Sequence, residues 1–309
     1  MYDKPHDVVN RDISNEALSD YLNQTSTKID LLVNFGSWLF MWCSKDNRLS
    51  TEDKIVCLVL LRRALEIIDS ISILIRHSSI DVSKVLLRSL IELLFEFEYL
   101  VKEDSSRRST CYIVWYMNQM LELKKSFDPE SKEGKRFYSA IKLDKYMHKL
   151  NPTKPTTLDL EIENISEIIE EYKETNDEYR KTQRKSKRNF PWYAMYDGPK
   201  NAFELTKQIQ LNGFYEYLFR HLSKTTHNTD LFQGVLNESK EDGQIGVIQI
   251  RSPMDINFVT TYTISFSLGL YNLMIEHFFP RSSHARQEFQ KFYKKEIKDF
   301  YFRKIQINL

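Results

Sequence analysis

The sequence predicts an almost wholly α-helical protein that is soluble, intracellular and folded around one large core. Gly and Pro are scarce, at 8 each in 309 residues, whereas turn-rich β folds use many of both. Hydrophobic residues make up 41% of the chain and recur at helical spacing over long stretches. We therefore expect a multi-helix bundle that forms a single domain over residues 1–309, with its core at about 50–280.

The apolar spacing places the helices in order along the chain. The first five are expected at about 12–45, 51–77, 81–103, 106–126 and 130–149. Ser50 resembles an N-cap that opens the second of them. Later helices are expected at about 158–188, 199–227, 256–275 and 282–303, the last within a C-terminal segment 281–309. Gly213 is expected to kink or divide the 199–227 stretch. Alternating residues at about 243–251 predict one short strand or hairpin.

Residues 158–188 change from acidic to basic along one predicted helix, which we expect to be long, largely exposed and projecting. Nine of residues 159–178 are Asp or Glu, and five of residues 181–188 are Lys or Arg. The basic half is followed by an aromatic residue, so it could contact RNA through charge and stacking. The candidate contacts are Arg184, Lys185, Lys187, Arg188 and Trp192. A solvated helix end that balances the acidic half explains the same pattern.

Composition excludes several classes of function. The net charge is +1, so any electrostatic role must come from local patches. The sequence has no Gly-rich phosphate loop and no Cys/His metal spacing, so we predict no cofactor and no metal site. The N-terminus is polar and the three cysteines are odd in number, as expected of a cytoplasmic protein. Residues 256–275 are uncharged and long enough to span a bilayer, but their polar residues favour a core helix and no membrane.

Arg88 and Glu92 form a polar stripe on the most apolar predicted helix. They are spaced by one turn and can pair. If the helix is buried, the pair is an internal ion pair that fixes helix packing. The alternative is the wall of a polar cleft, to which Tyr217 and Trp192 would also contribute.

The sharpest candidate for an active site lies at the end of the 199–227 stretch. Arg220 and His227 are seven residues apart, which brings them to nearly the same helix face about 10 Å apart along the axis. Ser223 lies between them, and His221 is adjacent to Arg220. A guanidinium can bind a phosphate and an imidazole can transfer a proton, which suffices for RNA cleavage without a metal. A histidine that caps the helix and an arginine that pairs with a nearby acid would explain the same residues.

Three short motifs resemble an uncharacterised family of helical bacterial proteins, a domain of unknown function. They are the helix LLRSLIELLFEFEYL with Arg88 and Glu92, then Trp192, then the segment YEYLFRHLSKTTHNT with Tyr217, Ser223 and His227. The resemblance covers about residues 55–275. It implies an all-helical fold and no established activity.

Arg220, His221 and His227 also resemble the motif of the HEPN superfamily of helical ribonucleases and toxins. That motif is an Arg, a polar neighbour and a His after four to six intervening residues. The resemblance implies that Arg220 stabilises the phosphate, that His227 handles the proton, and that two chains pair to build one cleft without a metal.

The leading hypothesis is therefore a HEPN-like, metal-independent ribonuclease that acts as a homodimer, with a toxin or phage-defence role. A non-catalytic helical scaffold that binds a protein partner encoded nearby is the main alternative. A third is a small-ligand or nucleotide sensor with a pocket between the Arg88 and His227 helices. A solvent-exposed helix face that carries Arg220 would favour the ribonuclease. Burial and pairing of Arg220 and His227 would favour the scaffold.

Overall fold

The fold is all-helical, as the sequence predicts. The computed structural model describes residues 15–150, 153–186, 189–226, 236–238, 245–280 and 283–301. Of these residues, 79% are helical. The chain divides into two compact units, one of residues 1–103 and 205–309 and the other of residues 104–204. This division is finer than the single predicted domain, which stays a prediction.

The first three helices match the predicted segments. They are α1 (Glu16–Ser44), α2 (Thr51–Arg76) and α3 (Ile80–Lys102), and each packs on the next. The side chain of Ser50 accepts a hydrogen bond from the backbone N–H of Asp53, which confirms the predicted N-cap of α2. These helices bury apolar stripes that face one another, because their apolar residues recur every three or four positions.

The unit of residues 104–204 contains α4 (Ser105–Ser126), α5 (Lys132–Leu143), α6 (Leu158–Glu171) and α7 (Lys173–Lys185). A 3₁₀ segment, Trp192–Asp197, follows them. The prediction of one long, exposed helix over 158–188 is wrong, because the helix breaks at Tyr172. Both halves contact α4, and the break lets each half lie against it. Glu178, Tyr179 and Thr182 of α7 are buried, so this segment does not project.

The predicted helical stretch over 199–227 is divided by a turn at Gln210. It contains α8 (Ala202–Gln208), α9 (Asn212–Phe214), a π-helical segment (Tyr215–Phe219) and α10 (Arg220–Thr226). Gln210 has a φ of 64°, which the helix cannot accommodate, so the break lies at Gln210 rather than at Gly213.

A short antiparallel hairpin pairs β1 (Leu236–Glu238) with β2 (Ile245–Val247). The second strand lies where the alternation predicts a strand. The first precedes the predicted interval.

The predicted core helix is α11 (Ile256–Phe278), which packs against α1, α2 and α3. Within the described residues it is the one helix that is long and apolar enough to cross a membrane, but 56% of its most apolar window is buried inside the protein. Tyr271 is wholly buried and donates a hydrogen bond to the Leu32 carbonyl of α1 (2.8 Å). This packing supports a core helix over a membrane span. The chain continues through α12 (Ser283–Phe292), a second π-helical segment (Tyr293–Ile297) and α13 (Lys298–Tyr301).

Candidate functional site

Arg88 joins α3 to α10. Its Nε donates a hydrogen bond to Ser223 Oγ (3.0 Å), and its Nη1 donates to Glu92 Oε2 (3.0 Å). The guanidinium also lies over the ring of Phe219, with Cζ 4.5 Å from the ring centroid. Ser223 Oγ in turn donates to the Phe219 carbonyl (2.8 Å), so the hydroxyl both accepts and donates. The structure thus brings together three of the predicted residues, Arg88, Glu92 and Ser223.

The Arg88–Glu92 pair is not an internal ion pair. The Arg88 side chain is 18% exposed, but the Glu92 side chain is 41% exposed. Glu92 therefore keeps much of its hydration, and water screens its attraction to the guanidinium. The interpretation as a fully buried pair is wrong, and the pair forms part of a surface where α3 meets α10.

Replacing Glu92 by alanine is expected to lower the free energy of unfolding by about 0.5–1 kcal/mol, because the pair is solvent-screened. Arg88→Ala is expected to have the larger effect, about 2 kcal/mol, since it removes the bond to Ser223 and the contact with the Phe219 ring as well. Urea denaturation of both variants measures the difference. A loss of more than about 3 kcal/mol for Glu92→Ala would indicate a buried pair instead.

Arg220 lies on the exposed face of α10. Its side chain is 64% exposed, and its Nη1 contacts Glu216 Oε2 at 2.6 Å. The hydrogen bond and charge of Glu216 raise the pKa of Arg220, so the guanidinium stays charged. Tyr217, one turn before Arg220, is 71% exposed, and His221 is exposed too. This surface offers a phenol, a guanidinium and an imidazole to solvent.

The structure groups Ser223 with α3 rather than with Arg220. Ser223 binds Arg88, whereas Arg220 pairs with Glu216 on its own helix and extends into solvent. The prediction that Ser223 continues the Arg220 face is therefore wrong, because Ser223 is used to hold the two helices together. His227, the predicted proton-transfer residue, lies outside the described residues, so its distance from Arg220 stays a prediction.

The basic residues at the end of α7 are exposed, but the aromatic partner expected beside them is not. Arg184 and Lys185 are exposed, and Lys185 Nζ contacts Asp197 Oδ1 at 2.9 Å. Trp192 is only 2% exposed and packs against Tyr112 and its neighbour Tyr193. Its ring therefore cannot stack on a base or line an open cleft, and both predictions for Trp192 are wrong. Lys187 and Arg188 lie outside the described residues.

A cavity of about 640 Å³ adjoins this basic end, lined in part by Lys185, Ser186, Asn189 and Lys200. Two ammonium groups and an amide line this cavity, but so does the carboxylate of Asp197 that pairs with Lys185. An anionic partner would therefore compete with Asp197 for Lys185, and base stacking by Trp192 is excluded.

A buried cluster that the sequence analysis missed lies where α2 meets α11. His277 Nε2 is 3.0 Å from Asp53 Oδ2 and 3.2 Å from Oδ1, and the Cys57 thiol contacts Asp53 Oδ1 at 3.4 Å. The side chains of Asp53 and His277 are 3% and 12% exposed, and Cys57 is fully buried. The spacing of Asp53 and Cys57 by four residues was a signal for one helix face. His277 is 220 residues further along the chain than Cys57, so no local motif could reveal it.

The protein is helical, and two of the three sequence motifs meet in space where Arg88 contacts Ser223. A family model described as "Family of unknown function (DUF5677)" matches residues 54–244, and the chain belongs to this family. No curated protein and no solved structure matches the chain. The predicted resemblance to an uncharacterised helical family is thus confirmed, with a match that ends at residue 244 rather than 275. The resemblance to the HEPN superfamily is not part of this match and stays a hypothesis.

Proposed function

We propose that the protein is a metal-independent ribonuclease of the HEPN type. The observation that supports this best is the exposure of the Arg220 guanidinium on a helix that Arg88 and Ser223 hold against the core. A phosphate that approaches from solvent can displace Glu216, because that ion pair is exposed and therefore weak. Two parallel N–H groups of the Arg220 guanidinium would then bind the phosphate.

The reaction assigned to this site is attack of the RNA 2′-hydroxyl on the adjacent phosphorus. The 2′-oxygen loses its proton, a new P–O bond forms, and the 5′-oxygen of the next nucleotide leaves with a proton. His227 transfers protons, and Arg220 stabilises the charge on the phosphorane oxygens. His221 is the polar neighbour of Arg220. Ser223 positions α10 through Arg88 and does not contact the substrate.

The biological setting we propose is cytoplasmic, as a toxin or phage-defence effector that acts as a homodimer, with RNA as substrate and a partner protein encoded nearby. Two copies of the motif would then line one cleft. Arg184, Lys185, Lys187 and Arg188 would contribute charge to RNA binding, without stacking by Trp192. Dimerisation makes the specific activity depend on protein concentration.

The test is cleavage of a labelled single-stranded RNA by the purified protein. Arg220→Ala is expected to lower the rate by about 100-fold, and Arg220→Lys is expected to be defective as well, because a point charge does not replace the planar fork. Lys224→Ala, which removes a second exposed cation one turn further along α10, is the matched control and is expected to stay within a few-fold of wild type. If Arg220→Ala and Lys224→Ala lowered the cleavage rate equally, the effect would come from positive charge in general. That result would contradict the role assigned to Arg220.

A second candidate function is a small-ligand or nucleotide sensor whose site lies at the junction of α3 and α10. The contact between Arg88 and Ser223, beside the half-exposed carboxylate of Glu92, favours it. A ligand that competes for Arg88 would loosen α10, which is how such a sensor could signal. In a scaffold that binds no ligand or substrate, the contact between Arg88 and Ser223 would only pack α10 against α3. Ligand-dependent changes in the melting temperature that Arg88→Ala abolishes would favour the sensor.

A further inference from the structure

The Asp53, Cys57 and His277 cluster has the donor set and spacing of a transition-metal site. It contains one carboxylate, one thiol and one imidazole, and the ligand atoms all lie within 4.8 Å of one another. Around a tetrahedral Zn²⁺ with bonds of about 2.0–2.3 Å, ligand atoms are about 3.3–3.7 Å apart. The contacts of Asp53 with His277 and Cys57, at 3.0 and 3.4 Å, lie close to the lower end of that range. Small side-chain movements would therefore suffice to admit the ion.

Charge supports the same assignment. A divalent cation binds cysteine as the thiolate. One carboxylate, one thiolate and a neutral imidazole then balance the two charges of the metal. The buried site becomes neutral overall, which low-dielectric surroundings favour.

We propose that Asp53, Cys57 and His277 bind one Zn²⁺ ion, which links the first two turns of α2 to the last turn of α11. The mixed S, N and O ligands suit zinc, whereas Mg²⁺ and Ca²⁺ prefer oxygen ligands alone. Three protein ligands leave the fourth tetrahedral position for a water molecule. The ion stabilises the packing of α2 on α11 and takes no part in RNA cleavage. On binding, the Cys57 proton passes to bulk water, so one proton is released per ion.

The test uses Zn²⁺ alone on the full chain. Metal analysis of protein grown with added zinc is expected to find one zinc per chain. Titration of the chelator-stripped protein in competition with a chromophoric chelator then gives the affinity. Cys57→Ser and His277→Gln are each expected to weaken the affinity for zinc by about 100-fold or more. Loss of a residue that only hydrogen-bonds to a metal ligand already weakens metal affinity by about 10–100-fold. Cys111→Ser is the matched control, because it removes another buried thiol far along the chain and should leave zinc binding unchanged.

Cobalt substitution decides the question even where a variant fails to fold. Wild-type protein loaded with Co²⁺ is expected to show intense visible bands of tetrahedral cobalt and a thiolate-to-cobalt charge-transfer band. Wild-type protein without zinc, or a cobalt spectrum without the thiolate band, would overturn the proposal and leave an internal Asp–His–Cys hydrogen-bond network. Retention of full affinity in both folded ligand variants would overturn it too. RNA cleavage enters none of these measurements, so their outcome is independent of the ribonuclease proposal.

Discussion

Replacing His227 by alanine is expected to lower the rate of RNA cleavage by about 10²–10⁴-fold, because the variant loses its proton-transfer group. The melting temperature should change little if the imidazole acts on substrate rather than in packing. The products of the wild-type protein should carry a 2′,3′-cyclic phosphate or its hydrolysis product, as attack by the 2′-hydroxyl requires. Rates measured by gel with end-labelled RNA, beside thermal unfolding of both proteins, test these expectations.

His221→Ala is the matched control, since it removes an exposed imidazole from α10. It is expected to weaken cleavage far less than His227→Ala. Brief addition of EDTA well below the melting temperature should leave the rate unchanged, because zinc in the Asp53, Cys57 and His277 cluster would act on stability only. Full activity of His227→Ala, or strict dependence on an added divalent metal, would refute this mechanism. The scaffold and sensor hypotheses predict that His227→Ala affects only stability or binding.

Helix positions were predictable because each depends on local signals. The spacing of apolar residues defines the buried faces of α1 to α4, and the side chain of Ser50 caps the N-terminus of α2. The break at Tyr172 was not predictable, because it depends on how α6 and α7 both pack on α4. Charge composition suggested an exposed helix, but α7 is held in place by the buried side chain of Tyr179 and by the hydrogen bond that Glu178 accepts from the backbone N–H of Tyr196.

The candidate site was predictable in part for the same reason. The pairing of Arg88 with Glu92 follows from one-turn spacing, and the structure confirms it. The bond from Arg88 to Ser223 joins residues 135 positions apart, and only the fold brings them together. The burial of Trp192 likewise depends on Tyr112 of α4, which no local pattern specifies. Sequence spacing thus identified residues on one helix, and it could not identify their partners on other helices.

Replacing Gly36 by alanine is expected to lower the free energy of unfolding by about 1–3 kcal/mol, because α1, α2 and α11 meet at this position without room for a methyl group. A Cβ at Gly36 would lie against Leu65 Cδ2 and 2.5 Å from Tyr271 Oη. The Tyr271 ring cannot move away easily, because it is wholly buried and its hydroxyl is hydrogen-bonded to Leu32. The overlap should therefore outweigh the gain in helix propensity that alanine brings.

Gly269→Ala, on α11 itself, is the matched control and should have the opposite sign. A Cβ there would meet Leu94 at 3.9 Å, an ordinary contact, so the variant is expected to gain about 0.5–1 kcal/mol from helix propensity. Urea denaturation followed by circular dichroism gives both free energies. Equal stability of the two variants would mean that α11 does not cross α1 as closely as Gly36 and Tyr271 indicate. A stabilised Gly36→Ala protein would contradict the central position of α11 in the core.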